Sequence, residues 1–157
     1  MKTTASLLQA MLDAAKAEID GSFCAIFAGP VPDAAGDALD MANDHTLLAI
    51  LTLDNDGVTG LDFDSAVGGL LAKPSADVWE GTVAFSGAED SEATLTPTFF
   101  RFGGGDLTGA STDPRLQGSV GGPSSAAEMK LEGETLTDNG SNTAVVATFN
   151  VRLTPIG

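Results

Sequence analysis

Two hydrophobic periodicities divide the chain. Over residues 3 to 20, Leu8, Met11, Leu12, Ala15 and Ile19 recur at helical spacing, with Thr3, Thr4 or Ser6 available as N-cap and Gly21 as terminator. Gln9, Asp13, Lys16 and Glu18 occupy the opposite flank. The pattern predicts an amphipathic helix whose apolar stripe needs a surface, either its own domain or a neighbouring subunit.

After Gly21 the period changes to about eight short β-branched and aromatic runs, separated by Gly, Pro, Asn, Asp and Ser clusters. They centre on Phe23 to Ala28, Thr46 to Leu53, Val58 to Phe63, Val78 to Phe85, Thr94 to Phe102, Arg115 to Val120, Glu128 to Leu131 with Leu136, and Ala144 to Leu153. No helical period interrupts them, which disfavours a parallel βαβ sheet. The expected fold is mainly β: an antiparallel β-sandwich of jelly-roll type over 22–157, preceded by a helical docking arm over 1–21.

Strand phase follows from alternation. Val145, Ala147, Phe149, Val151 and Leu153 form one inward row, with Thr148, Asn150 and Arg152 outward. Trp79, Gly81, Val83 and Phe85 form a second row, and Leu116, Gly118 and Val120 a third. The Thr46 to Leu53 run is apolar on both sides, because Leu48 and Ile50 oppose Leu47, Ala49, Leu51 and Leu53. Its second face needs a cover. Leu8, Met11, Leu12, Ala15, Ile19, Leu48 and Ile50 are therefore the expected partner-docking residues. Trp79, Phe85, Phe100, Phe102, Phe149 and Val151 are expected in the core. Gly29 to Asp44 and Gly103 to Pro114 read as long surface loops, and Asp54-Asn55-Asp56-Gly57 as a tight turn.

Composition narrows the function classes. Among 157 residues, 22 Asp and Glu face 7 Lys and Arg, a formal net charge of −15, so neither nucleic acid nor an anionic membrane is an expected partner. The single cysteine, Cys24, excludes an internal disulfide and a thiolate metal framework, and reads as a buried thiol. The Ala/Leu-rich start is interrupted by charged residues and lacks the roughly 7–15-residue apolar centre of a signal peptide. Synthesis in the cytoplasm without a leader is the expectation.

Groups able to attack or shuttle protons are scarce. His45 is the only imidazole and sits in no nucleophile motif, reading instead as a surface or capping residue at a strand edge. Gly103-Gly104-Gly105 lacks the Gly-Lys-Ser/Thr ending of a phosphate loop. Aligning Gly57 with the glycine of an EF-hand puts Phe63 where a bidentate Glu is required, so that pattern fails. Asp33, Asp37, Asp40 and Asp44, or Asp54 and Asp56, are left as positions for adventitious Ca²⁺ or Mg²⁺ beside a solvated acidic surface. Arg101 and Arg115 are expected to form ion pairs with acidic neighbours within the assembly, not to contact ligands.

The order of several segments carries more information than any one of them. Ala25-Ile26-Phe27-Ala28-Gly29-Pro30-Val31-Pro32, Thr46 to Leu53, Gly69-Leu70-Leu71-Ala72-Lys73 and Val78-Trp79-Glu80-Gly81-Thr82 come first. Thr98-Phe99-Phe100-Arg101-Phe102, Pro114 to Gly121 and Phe149 to Pro155 follow. Over residues 22–157 this series resembles small all-β virion structural proteins of tailed bacteriophages. The resemblance implies a non-enzymatic virion component with no cofactor and no catalytic residue. It would sit on the capsid surface or around the head-to-tail neck, as a symmetric homo-oligomer contacting capsid, portal or neck proteins. The alternative is a β-sandwich binding module that recognises a host-surface glycan through the two long loops, with or without Ca²⁺; the absence of Tyr counts against it.

Overall fold

The computed structural model describes residues 4–64, 69–89 and 93–152. Helix α1 (Ala5–Ile19) begins at Thr4, whose Oγ1 accepts the Leu7 N–H at 3.3 Å. It ends where the Asp20 N–H returns to the Lys16 carbonyl and Gly21 takes a positive φ of 74°. Leu8, Leu12 and Ile19 are buried on its inner face. Leu12 and Ile19 belong to the main core, so the helix packs on its own chain. The Asp20 carboxylate accepts the Phe63 N–H at 2.9 Å and the Gly21 N–H bonds to the Leu61 carbonyl, fixing the helix end to segment 61–63.

The described residues form ten strands: β1 (Phe23–Ala28), β2 (Thr46–Leu53), β3 (Leu70–Ala72), β4 (Trp79–Gly87), β5 (Thr94–Leu95), β6 (Phe99–Gly103), β7 (Arg115–Gly121), β8 (Met129–Leu131), β9 (Leu136–Thr137) and β10 (Thr143–Arg152). Their order is β10-β4-β2-β1-β6-β7-β8 and back to β10, a closed seven-strand barrel. Every neighbour pair is antiparallel except β7–β8, which is parallel. β3 adds to the end of β10, and β5 with β9 makes a separate ribbon that lays Leu136 into the core.

The barrel replaces the expected sandwich for a reason that alternation does not record. Both architectures bury one face of every strand; they differ in whether the outermost strands meet. Here β10 pairs with β4 over Thr143–Val145 and with β8 over Val146–Phe149, and a register shift between Val146 and Thr148 bends it across the closing seam. The same bulge corrects the strand's phase. Ala144 and Val146 point inward before it, Phe149 and half-buried Val151 after it, while Val145 is only half-buried and Ala147 is exposed. Leu153 lies outside the described residues.

β2 carries a comparable irregularity. Its pairings with β1 and β4 both skip Leu48, which turns into the core alongside Ala49 and Leu51, and Leu47 goes to the opposite face. The expected run Val58 to Phe63 forms no strand. Gly60 lies so close to the Gly21 carbonyl that a Cβ would come within 1.9 Å of it, and Leu61 and Phe63 enter the core from a loop.

At that end of the barrel Phe63, Trp79, Phe102 and Phe149 meet with ring centroids 5.0–5.6 Å apart, mostly edge to face, and Phe100 adjoins them. All five rings are buried. The β4 row is as expected, and Gly81 has a specific reason to be glycine, since a Cβ would approach the Ile50 carbonyl of β2 to 2.1 Å. Phe149→Ala should lower unfolding free energy by about 3–5 kcal/mol in a urea titration, and a loss below about 1 kcal/mol would contradict this packing.

Candidate functional site

β1 and β6 are covered on both faces. In β6, Phe100 and Phe102 point into the barrel while Phe99, Arg101 and Gly103 point outward, yet all five residues are buried. The outer layer is a second apolar cluster of Ala25, Phe27, Leu39, Phe99 and Leu107, flanked by Met41 and Leu47. Leu39 and Leu107 come from the two long loops. The Leu39 N–H bonds to the Thr108 carbonyl at 2.8 Å and the Ser111 N–H to the Gly36 carbonyl at 3.0 Å, so the loops also hold each other.

Arg101 is the centre of this layer. Its side chain is 0% exposed and lies near the Phe99 ring. Nη1 donates to the Asp37 carbonyl at 2.8 Å and the Leu107 carbonyl at 3.2 Å, one from each loop, and Nε donates to Gln117 Oε1 at 2.9 Å. Gln117 passes the connection on, since its Nε2 donates to the Pro32 carbonyl at 2.9 Å. Arg115 donates to the Gly109 and Asp106 carbonyls and fixes the far side of the second loop. Within the described residues neither arginine forms an ion pair. Among the described residues Lys16–Asp20 is the only salt bridge, and both guanidiniums bind backbone carbonyls. Burial, with Arg115 nearby, lowers the Arg101 pKa, and Asp37 opposes that shift.

His45 stands at the edge of β2, as expected, in a capping role and not on the surface: it is buried. Its Nδ1 accepts the Asp40 N–H at 3.1 Å, which leaves Nε2 to donate to the Pro30 carbonyl at 2.9 Å. Those two bonds specify the neutral Nε2–H tautomer and tie both ends of the first loop together. Cys24 is buried in the barrel, and desolvation raises its thiol pKa well above the ordinary value. Three loop and turn aspartates act locally. Asp40 is held below the usual carboxylate range by the Asn43 side chain and by the amides of Ala42 and Asn43, Asp56 by Thr59 and the Val58 amide, and Asp106 by Thr108 and the Gly109 amide. Among the described residues no three His, Cys, Asp or Glu side chains converge as a metal would require.

Beside this clamped layer the outer wall opens into a groove of about 270 Å³. Phe23, Ala25 and Phe27 of β1 and Leu47 and Ile50 of β2 line one side, with loop residues Gly105 to Thr108 on the other. Phe23 is 39% and Ile50 49% exposed, so apolar side chains face solvent within it. Of the residues expected to dock a partner, Leu8, Leu12, Ile19 and Leu48 are buried within the chain. Met11 and Ala15 are exposed on α1, and Ile50 lies in the groove. Phe23 was not anticipated, although β1, like β2, is apolar on both faces. Leu107 and the guanidinium clamp had one visible signal, a charged residue in the otherwise aromatic run Phe99 to Phe102.

The chain matches no protein-family model, no curated protein and no solved structure.

Arg101→Met should destabilise the protein by at least about 3 kcal/mol, because it leaves several buried acceptors without a donor, at about 1–3 kcal/mol each. It should also admit protease to loops 29–44 and 104–114; a loss under about 1 kcal/mol with unchanged proteolysis would show that the loops hold without it. The turn carboxylates predict an acid response. Their folded pKa values lie below those of the unfolded chain, so their stabilisation is complete above the ordinary aspartate value of about 3.9 and is lost as pH falls through the lower folded values. The amide resonances of Asn43, Thr59 and Thr108 should therefore titrate with midpoints below about 3.9 in an NMR pH series.

Proposed function

We propose that this chain is a non-enzymatic structural protein of a tailed-phage particle, placed on the capsid surface or around the head-to-tail neck and acting by protein–protein assembly. The observation that carries the reading is the contrast between the groove and everything around it. His45, Arg101 and Arg115 are engaged in holding loops, and Cys24 is sealed in the barrel. The surface they stabilise ends in exposed apolar side chains, Phe23 and Ile50, as a docking face would.

Three of the resembling segments support the same reading, because each has a building role. Trp79 and Gly81 set the β4 contact, and the Phe99 to Phe102 run supplies both core and clamp. Gln117 and Arg115 hold the loops. No described helix is long and apolar enough to cross a membrane.

Mass spectrometry of particles purified after induction of the genome that encodes this chain should find it in stoichiometric ratio to the major capsid or neck proteins. Cryo-electron microscopy should then place it at repeated surface sites or in a ring at one vertex. Its absence from purified particles would overturn the proposal.

A further inference from the structure

The groove on the β1–β2 wall has no assigned occupant, and the charge around it selects one. Loops 29–44 and 104–114, which build the outer layer beside the groove, carry Asp33, Asp37, Asp40, Asp44, Asp106 and Asp113 and no Lys or Arg. Arg101 and Arg115, the basic residues next to them, point into the loops and end on backbone carbonyls. Elsewhere Lys16 is taken by Asp20, and Lys73 donates to the carbonyls of Pro74 and Asp77. The groove is thus an apolar slot with Asp106 in its lining, beside loops that carry only acidic charge, on a chain of net charge −15.

A second copy of the chain is a poor occupant. Each copy carries a net charge of −15, and a face-to-face contact would bring acidic loops within the roughly 8 Å over which charge acts at physiological salt. Nucleic acid and anionic lipid are disfavoured by the same sign of charge. A basic protein surface meets both requirements, since its apolar side chain would fill the slot and its cations would face the aspartates.

We propose that the groove between Ile50, Phe23 and the Asp106 loop receives an apolar side chain flanked by Lys or Arg from a different protein of the same particle. This rests on the reading of the chain as an assembly component and names the partner chemistry of its docking face. The apolar contact supplies the fixed position, and the charges supply the encounter rate and the salt dependence.

The test uses full-length chain in assembled particles. Ile50→Asp places a charge on a half-exposed side chain, so circular dichroism and melting temperature should stay near wild type while incorporation falls about tenfold or more, the loss of one strong apolar contact. Val58→Asp, at a 79% exposed turn position outside the groove, should incorporate normally. A benzoyl-phenylalanine photo-crosslinker at position 50 should join a particle protein within a few residues of Lys or Arg, and crosslinking during assembly should decline as salt is raised. Wild-type incorporation of Ile50→Asp, a crosslink to a second copy, or a crosslink to a segment without basic residues would each overturn the groove proposal while leaving the structural-protein reading intact. Absence of the wild-type chain from particles would overturn both.

Discussion

The outer half of this molecule depends on one buried cation. Arg101 lies on the solvent side of a barrel wall, beneath two loops that contain no strand or helix of their own, and its donors reach a backbone carbonyl in each. Removing a guanidinium from water is costly, and carbonyl partners offset that cost only if they are held in place. The requirement is mutual. The loops keep the cation dry, and the cation gives irregular backbone a fixed conformation that its own hydrogen bonds would not impose.

Everything proposed about the surface follows from that arrangement. The second apolar cluster exists because Leu39 and Leu107 are brought down over Phe27 and Phe99, and the groove is the place where this cover stops short of Phe23 and Ile50. His45 performs the same service at the other end of the first loop, with a neutral ring bridging Asp40 and Pro30. A composition poor in reactive side chains therefore has a structural counterpart. The few polar groups with several donors or acceptors are placed where backbone would otherwise be left unpaired.

Much of the fold was legible from the chain. The helix announced itself by spacing and by a terminating glycine, and the Trp79 to Phe85 row lies inward as alternation predicts. Two single-residue bulges, at Leu48 in β2 and near Ala147 in β10, defeated the phase of both strands. A bulge depends on the register of the partner strand, which no local pattern encodes. Ring closure escaped for a related reason: it requires β10 to serve three neighbours along its length, a property of the whole sheet. The groove was half legible. Ile50 stood out as an apolar residue on the wrong face, but Phe23 did so only once both sides of β1 were known to be covered or used.

Closure of the barrel also governs how the protein behaves when crowded. An open sheet ends in a row of free N–H and C=O groups that can pair with another molecule, and a set of negatively charged copies held close together would still be exposed to that hazard. Here the long strands β1, β2, β4, β6, β7 and β10 each have neighbours on both sides, although β7 meets β8 over only two residue pairs. Among the described residues, the strands outside the ring are three residues long in β3 and two each in β5 and β9. Such short edges are weak templates for a new strand. Copies brought to high local density would therefore meet mainly through side chains and loops, because among the described residues few strand edges are free to start run-on fibre growth.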